Sequence, residues 1–405
     1  MSKFNRDPYD PLMQVQKWAY RCSKCSLCKY IHVYQGEYED PRFVDMCPPG
    51  KKWRFEAYYA SGKQDIARGL ITGQLDYSER LLHALYTCTE CGGCMSNCAP
   101  YSGKDPLKTI TALRERAVRD GEAPLPEHEP LFKSIENFGN PWQAPRQKRA
   151  AWSKKMGIKD AEKDSPEVLF YTGCTYALDA NLSDTLKLSA QLLQKAGVDF
   201  GILGEKELCC GSTVLRIGDR PTFEKMAREN IEMLEGLGVK TIVTGCAGCY
   251  SVLKEEYPEI QKPSYKVVHL VEMLADLVAS GALKPEGEVD MKLTYHDPCH
   301  LGRYCGIYDP PREILNAIPG LELVEMQRSR DNAWCCGAGA GVRTAFPDFA
   351  QWAAEERLFE ASENGAEALV TACPFCEQNL RGASDGMEVK NIFELLAGSV
   401  GVGGE

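Results

Sequence analysis

Ten of the nineteen cysteines in this chain form one five-cysteine pattern written twice, and no other feature restricts its fold so tightly. Cys174 is followed after 34 residues by Cys209-Cys210-Gly211, and after 35 more by Cys246 and Cys249. The second copy runs from Cys299, after 35 residues, to Cys335-Cys336-Gly337, and after 36 more to Cys373 and Cys376. Corresponding cysteines are separated by 125, 126 and 127 residues. Five positions placed twice at nearly one offset mark an internal duplication.

The residues around these cysteines fix the kind of element that carries them. Apolar, β-like runs end on cysteines: EVLFYTGC at Cys174, KTIVTGC at Cys246, KLTYHDPC at Cys299 and EALVTAC at Cys373. Between them lie amphipathic stretches with helical spacing, LSDTLKLSAQLLQKAG, FEKMARENIEMLEGLG and FPDFAQWAAEERLFEASENG. Strand alternating with helix predicts an open parallel α/β sheet in each copy. Ligands of such sheets gather beyond the carboxyl ends of the strands, where each cysteine is delivered. Helices starting at CAGCY and CPFCEQN aim backbone N–H groups at the same place, which suits an anionic group. The vicinal pairs then supply two thiolates to one metal–sulfide centre, and the small residues after them admit close backbone approach. The glycines at 337, 339 and 341 do not make a dinucleotide loop, because Val342 stands where the last glycine of that motif belongs.

Two further groups precede the repeat. Cys22, Cys25 and Cys28 form a C-x2-C-x2-C run followed by Cys47-Pro48, and Cys88, Cys91 and Cys94 form another, followed by Cys98. Such triplets place three thiolates on an iron–sulfur cube, and in bacterial ferredoxins the fourth cysteine of each run ligates the other run's cluster. By that logic Cys22, Cys25, Cys28 and Cys98 hold one [4Fe–4S] cubane, and Cys88, Cys91, Cys94 and Cys47 hold the other. Structural zinc is the alternative, but zinc sites use paired C-x2-C knuckles and not triplets. The 18 residues between Cys28 and Cys47 depart from the usual three and imply an inserted loop.

Composition narrows the setting. Of 405 residues, 44% are hydrophobic and 26% charged, with net charge −10, so neither nucleic acid nor an anionic membrane is favoured as a partner. No apolar run approaches the roughly 20 residues of a membrane span. The beginning, MSKFNRDPYDP, lacks the apolar core of a signal peptide. The expectation is a cytoplasmic protein, where an odd, large number of cysteines argues for metal ligation over disulfides.

At these residues the chain resembles the CCG (cysteine-rich) domain family, in particular heterodisulfide reductase subunits of type D, in which a ferredoxin-like part is fused to a catalytic part. The resemblance covers both cubane motifs and both five-cysteine motifs. It implies that Cys174, Cys209, Cys210, Cys246 and Cys249 bind one noncubane [4Fe–4S] cluster. It likewise implies that Cys299, Cys335, Cys336, Cys373 and Cys376 bind a second, with a disulfide reduced between the two. Similar subunits also occur in sulfite-reduction, benzoyl-CoA reductase and glycolate or lactate oxidase complexes, so a non-catalytic electron-transfer subunit is the alternative. A redox partner is implied either way, because the sequence carries no flavin or nicotinamide motif. A flavoprotein, a heterodisulfide reductase A-like subunit or another donor or acceptor fits, and peripheral association with a membrane complex is compatible.

The expected architecture is α+β overall. A small helical two-[4Fe–4S] ferredoxin-like domain covers 1–122, and a Pro-punctuated, charged linker covers 123–166. Two α/β CCG domains with parallel sheets follow over 167–285 and 286–398, then a flexible tail over 399–405. His296 and His300 flank Cys299 and are candidate proton donors or cluster hydrogen-bonders, against simple packing at a strand end. Arg303 is a candidate anion binder, against structural use. Cys305 has no counterpart in the first copy and reads as a small buried residue in preference to a near-cluster one. His32, His83, His128 and His269 are scattered without a pattern, and PLKTITALRERAVRDGE reads as a helix with a solvated basic face in preference to one that docks a partner.

Overall fold

A computed structural model describes residues 7–31, 39–103 and 105–403. The chain forms two compact units, each assembled from three stretches of sequence. The first comprises Met1–Glu129, Thr213–Thr222 and Gln327–Glu360, and the second Pro130–Ser212, Phe223–Met326 and Ala361–Glu405.

The first unit is helical. Three of its helices, Pro11–Tyr20, Ala60–Thr72 and Pro106–Arg119, pack against one another. Two of them start in the same way. Asp10 and Asp105 each cap a helix by accepting the amide two residues on, with proline at the first helical position, where its missing N–H costs nothing. Ser78 caps Glu79–Tyr86 by accepting the Leu81 amide. Leu12, Ala19, Ala67, Leu70, Ile110, Leu113 and Ala117 are buried between these helices. The insertion after Cys28 is pinched at its base. Tyr30 and Asp45 form an antiparallel bridge, the Ile31 amide donates to Val44 O at 2.9 Å, and the Met46 amide donates to Lys29 O at 2.9 Å. Cys47 is thereby returned close to the point where Cys28 left.

The second unit holds two all-parallel sheets. The first contains β1 (Lys159–Asp160), β2 (Val168–Phe170), β3 (Phe200–Ile202), β4 (Thr241–Thr244) and β5 (Lys266–His269), in the order β1-β3-β2-β4-β5. The second contains β6 (Met291–Tyr295), β7 (Leu321–Leu323), β8 (Ala368–Thr371) and β9 (Glu388–Asn391), in the order β7-β6-β8-β9. Apart from the extra edge strand β1, the two orders are the same, so the duplication expected from the cysteines is a duplication of fold. Register agrees with it. Leu169 pairs with Ile242 in the first sheet and Thr294 pairs with Leu369 in the second. The central strands are buried along most of their length, as parallel sheets covered by helices require.

The chain leaves β2 for β3 on one side and then crosses to β4 on the other, and β6, β7 and β8 do likewise. The crevice at such a reversal is where open α/β sheets bind ligands. Cys174 and Cys246 follow β2 and β4, and Cys299 and Cys373 follow β6 and β8. The helices after β5 and β9 carry matching capping boxes, His269 with Glu272 and Asn391 with Glu394. The expected α+β architecture, a helical cysteine-rich part and a duplicated parallel α/β part, is the one observed.

Candidate metal centres

In the first unit, one cavity is lined by Cys22, Cys25, Cys28 and Cys98, with Ser61 and Gln64 beside them. A second is lined by Cys47, Cys88, Cys91 and Cys94, with Lys63, Glu90 and the flank of Cys28. The two C-x2-C-x2-C runs reach these positions by one backbone device. Lys24 and Ser26 have φ of 55° and 70°, and Glu90 and Gly92, at the matching places of the second run, have φ of 47° and 75°. Left-handed residues at such close spacing curl the chain inward and make a concavity that suits an anion. Three of the four are not glycine, so the conformation costs energy at an apo site.

The surroundings differ between the two cavities. Cys28 Sγ donates to Ser61 Oγ at 3.6 Å, and burial pushes its thiol up. At the second cavity Lys63 is buried and donates to Tyr58 O at 2.7 Å, and burial pushes the Cys47, Cys88 and Cys94 thiols up. Arg114 has no exposed surface and donates to four carbonyls on three stretches. These are Leu85 O at 3.0 Å, Cys88 O at 2.5 Å, Arg216 O at 2.6 Å and Ala340 O at 3.1 Å. The basic residues of this helix therefore do not share one solvated face, contrary to the expectation from sequence. Arg114 is turned inward to fasten the Cys88 loop.

In the second unit the five thiols of the first motif make one continuous series of contacts. Cys174 meets Cys209, Cys209 meets Cys210, Cys210 meets Cys249, and Cys249 meets Cys246. The Cys209 and Cys249 thiols, both directed at Cys210, bring its pKa down to about 6. Cys246 in turn contacts Cys373, whose thiol is lowered by hydrogen bonds first from Cys246 and then from Cys376. Cys335 and Cys336 lie in the first unit, where the Gly337 amide donates to Cys335 Sγ at 3.4 Å. The Gly211 amide does the same to Cys209 at 3.5 Å, so both Cys-Cys-Gly turns are built alike. All nineteen cysteines are free thiols. Thiol-rich donor sets without disulfides are the ligands that iron–sulfide and other soft metal centres take.

The candidate helpers fall in the second unit. His300 Nδ1 lies 3.4 Å from Cys299 Sγ, and its ring stacks on Tyr304 at 4.4 Å. His296 is buried, with its amide bonded to Val370 O at 2.7 Å, and Arg303 is buried too. Burial pushes the Cys305 thiol up to about 12. Of the scattered histidines, His83 Nδ1 meets Tyr58 OH at 2.9 Å, His128 Nε2 donates to Gly341 O at 3.1 Å, and His269 caps a helix. His32 lies outside the described residues.

Two residues at the first motif escaped the sequence. Arg149 sits on the 3-10 helix Arg146–Ser153, and its Nη2 donates to Cys174 Sγ at 3.1 Å while Nη1 donates to Glu207 Oε1 at 2.7 Å. Glu207 also accepts the Thr172 and Gly173 amides, each at 2.8 Å, in the turn that presents Cys174. Nearby, the Cys209 amide donates to Gly139 O at 3.1 Å. The stretch joining the two parts of the sequence is thus structured and takes part in the site. Nothing in the sequence singled out Arg149. Glu207 stands two residues before the Cys-Cys pair, and that adjacency was the only available sign.

A cysteine-triplet module joined to a duplicated, cysteine-lined parallel α/β domain defines an iron–sulfur protein of two-part construction. The profile of the 4Fe-4S dicluster domain matches residues 18–100, and that of the cysteine-rich CCG domain matches 168–254 and again 293–381. The chain is 32% identical over 395 residues to the D subunit of dihydromethanophenazine:CoB–CoM heterodisulfide reductase from Methanosarcina barkeri, covering 94% of each chain. Against its counterpart in Methanosarcina mazei the identity is 33% over 393 residues, again covering 94% of each. A probable iron–sulfur-binding oxidoreductase of Bacillus subtilis is 35% identical over 361 residues, 84% of this chain and 50% of that protein. The chain belongs to the CCG-domain iron–sulfur family that includes the D subunits of heterodisulfide reductases. A hypothetical protein from Helicobacter pylori shares the fold, with a TM-score of 0.51, 13% identity and coverage of 98% of this chain and 76% of that one. Among the described residues no helix is long and apolar enough to cross a membrane.

Proposed function

We propose that the chain is the iron–sulfur subunit of a cytoplasmic oxidoreductase complex that takes single electrons from a partner protein and reduces a disulfide-like substrate. In this reading Cys22, Cys25, Cys28 and Cys98 hold one cubane, and Cys88, Cys91, Cys94 and Cys47 hold the other. Cys174, Cys209, Cys210, Cys246 and Cys249 hold one noncubane [4Fe–4S] cluster, and Cys299, Cys335, Cys336, Cys373 and Cys376 hold the second. Bound iron–sulfide supplies one-electron chemistry, which no side chain here provides. The protein's own part is to gather thiolates, exclude water and supply protons. Reduction of one disulfide takes two electrons from the partner and two protons, and releases two thiols. His300, 3.4 Å from Cys299 Sγ, is the candidate that holds a proton beside the second motif.

The observation that carries this reading is the contact of Cys246 with Cys373. The unbroken series of five sulfurs in the first motif ends on a thiol of the second copy, so the two repeats share one sulfur-lined locus. A second reading, a relay subunit whose chemistry lies in another chain, is favoured by one relative. EtfAB:quinone oxidoreductase of Syntrophomonas wolfei is 34% identical over 323 residues, but this chain spans only 44% of it. Iron and acid-labile sulfide analysis of anaerobically prepared protein tests the shared part. The expectation is about 16 irons per chain for four [4Fe–4S] clusters, and about 8 leaves only the cubanes. Disulfide turnover with a chemically reduced donor separates the two readings. Turnover that Cys335→Ser abolishes, with the cubane EPR signals retained, supports the first, and fully loaded protein inert toward disulfides supports the second.

A further inference from the structure

We infer that Arg149, held by Glu207, is a positioning residue that raises the reduction potential of the centre bound by the first five-cysteine motif. This rests on the reading above that those five thiols hold a cluster. Nη2 of Arg149 lies 3.1 Å from Cys174 Sγ, and both side chains are almost wholly buried. A guanidinium fixed against a ligand sulfur in a dry site stabilises the added negative charge of the reduced state, through its charge and through the N–H···S hydrogen bond. Arginine is suited to this because its fork donates in two fixed directions and it stays charged when buried.

Glu207 makes the arrangement rigid. One carboxylate oxygen takes Arg149 Nη1 at 2.7 Å and the Gly173 amide at 2.8 Å, and the other takes the Thr172 amide at 2.8 Å. Thr172 Oγ1 adds a hydrogen bond at 3.0 Å to each oxygen. The carboxylate therefore ties the turn before Cys174, the stretch before Cys209 and the Arg149 helix into one network. A residue serving only to neutralise Glu207 has no need to aim its second nitrogen at sulfur.

The duplication does not repeat Arg149 or Glu207. Arg149 precedes the duplicated part of the chain, so the repeat supplies no second copy of it. The position corresponding to Glu207, 126 residues on, is Ala333, which has no carboxylate to hold a cation.

EPR-monitored redox titration of the anaerobically prepared full chain tests this. The first centre is identified as the signal lost in Cys174→Ser, and the cubane signals serve as internal standards. Arg149→Gln is expected to lower that centre's reduced-to-oxidised ratio at fixed poise at least tenfold, equivalent to 59 mV for one electron, with the cubanes unmoved. Arg149→Lys, which keeps the charge but loses the fork, is expected to fall between the variant and the parent. A first centre that is loaded in Arg149→Gln and titrates as in the parent overturns the inference. If that variant fails to load the centre, a parent-like midpoint in Arg149→Lys overturns it instead. Parent protein holding no more iron than two cubanes need is a different result, which rejects the underlying reading and not the role of Arg149.

Discussion

Cys246 and Cys373 occupy the same place in the two copies of the repeat, and their thiols lie against each other. Each stands at the N-cap of the helix that follows its strand, so the contact joins the carboxyl ends of β4 and β8. Thiols placed against each other can be joined by a mild oxidant when nothing else holds them. Apo protein treated with such an oxidant is expected to yield a peptide pair linked through Cys246 and Cys373, read by mass spectrometry. Protein carrying its full iron is expected to resist. Equal cross-linking of the two forms contradicts a ligand role for this pair.

The Cys-Cys-Gly turns make a paired prediction. Gly211 and Gly337 have φ of 80° and 93°, a region that costs a residue with a side chain about 1–2 kcal/mol. A Cβ on Gly337 also meets Ala350 O at 2.6 Å and Ala353 Cβ at 2.7 Å, whereas on Gly211 it meets the Phe223 ring at 2.9 Å. Backbone yields less than a ring edge. Gly337→Ala is therefore expected to lose more thermal stability and more iron than Gly211→Ala, measured by unfolding midpoint and iron content. The reverse order contradicts this packing.

Arg114 fastens its own helix to three other stretches of the first unit, since the carbonyls it satisfies come from residues 85 and 88, 216, and 340. The methionine variant leaves those oxygens unpaired in a site with no water access. Glu90, 3.8 Å from Arg114 Nε and equally buried, loses this adjacent cation as well. Removing one partner from such a buried charged network costs about 3–5 kcal/mol. Arg114→Met is expected to lower the unfolding midpoint accordingly and to expose the Cys88 loop to protease, with Arg114→Lys milder. An unchanged midpoint rejects the role.

The cysteines made much of this architecture legible. Their spacing announced the duplication, and the apolar runs before them gave strands whose carboxyl ends converge, because a parallel strand buried on both faces is a continuous apolar run. What stayed hidden depends on tertiary packing. Arg114 lies within RERAVR, a stretch whose charge suggests solvent, yet the third turn of that helix faces inward. Arg149 sits in a basic run, RQKR, where only the fold distinguishes it from its exposed neighbours. The inclusion of Gln327–Glu360 in the helical unit had no sequence signature either, since it interrupts the second repeat and is set by buried contacts such as Arg328 with Glu360 and with Asp45 O.

His128 gives the pH dependence of stability a definite sign. It has no exposed surface, and Nε2 donates to Gly341 O at 3.1 Å. Burial brings its pKa down to about 4, with nearby Arg114 acting in the same direction and the Gly341 hydrogen bond opposing. The unfolded chain binds the proton near the ordinary value of about 6.5. Between those values the unfolded state holds a proton that the folded state does not, so stability falls as pH falls. The contribution is complete above about pH 6.5 and is lost progressively down to pH 4, a change of about 3 kcal/mol at most. His128→Gln keeps a donor for Gly341 and removes the titration. Acid lability of bound iron–sulfide is common to both proteins, so the difference between their unfolding curves across this range isolates His128. The parent is expected to lose stability more steeply than the variant between pH 6.5 and 4, and parallel curves reject the assignment.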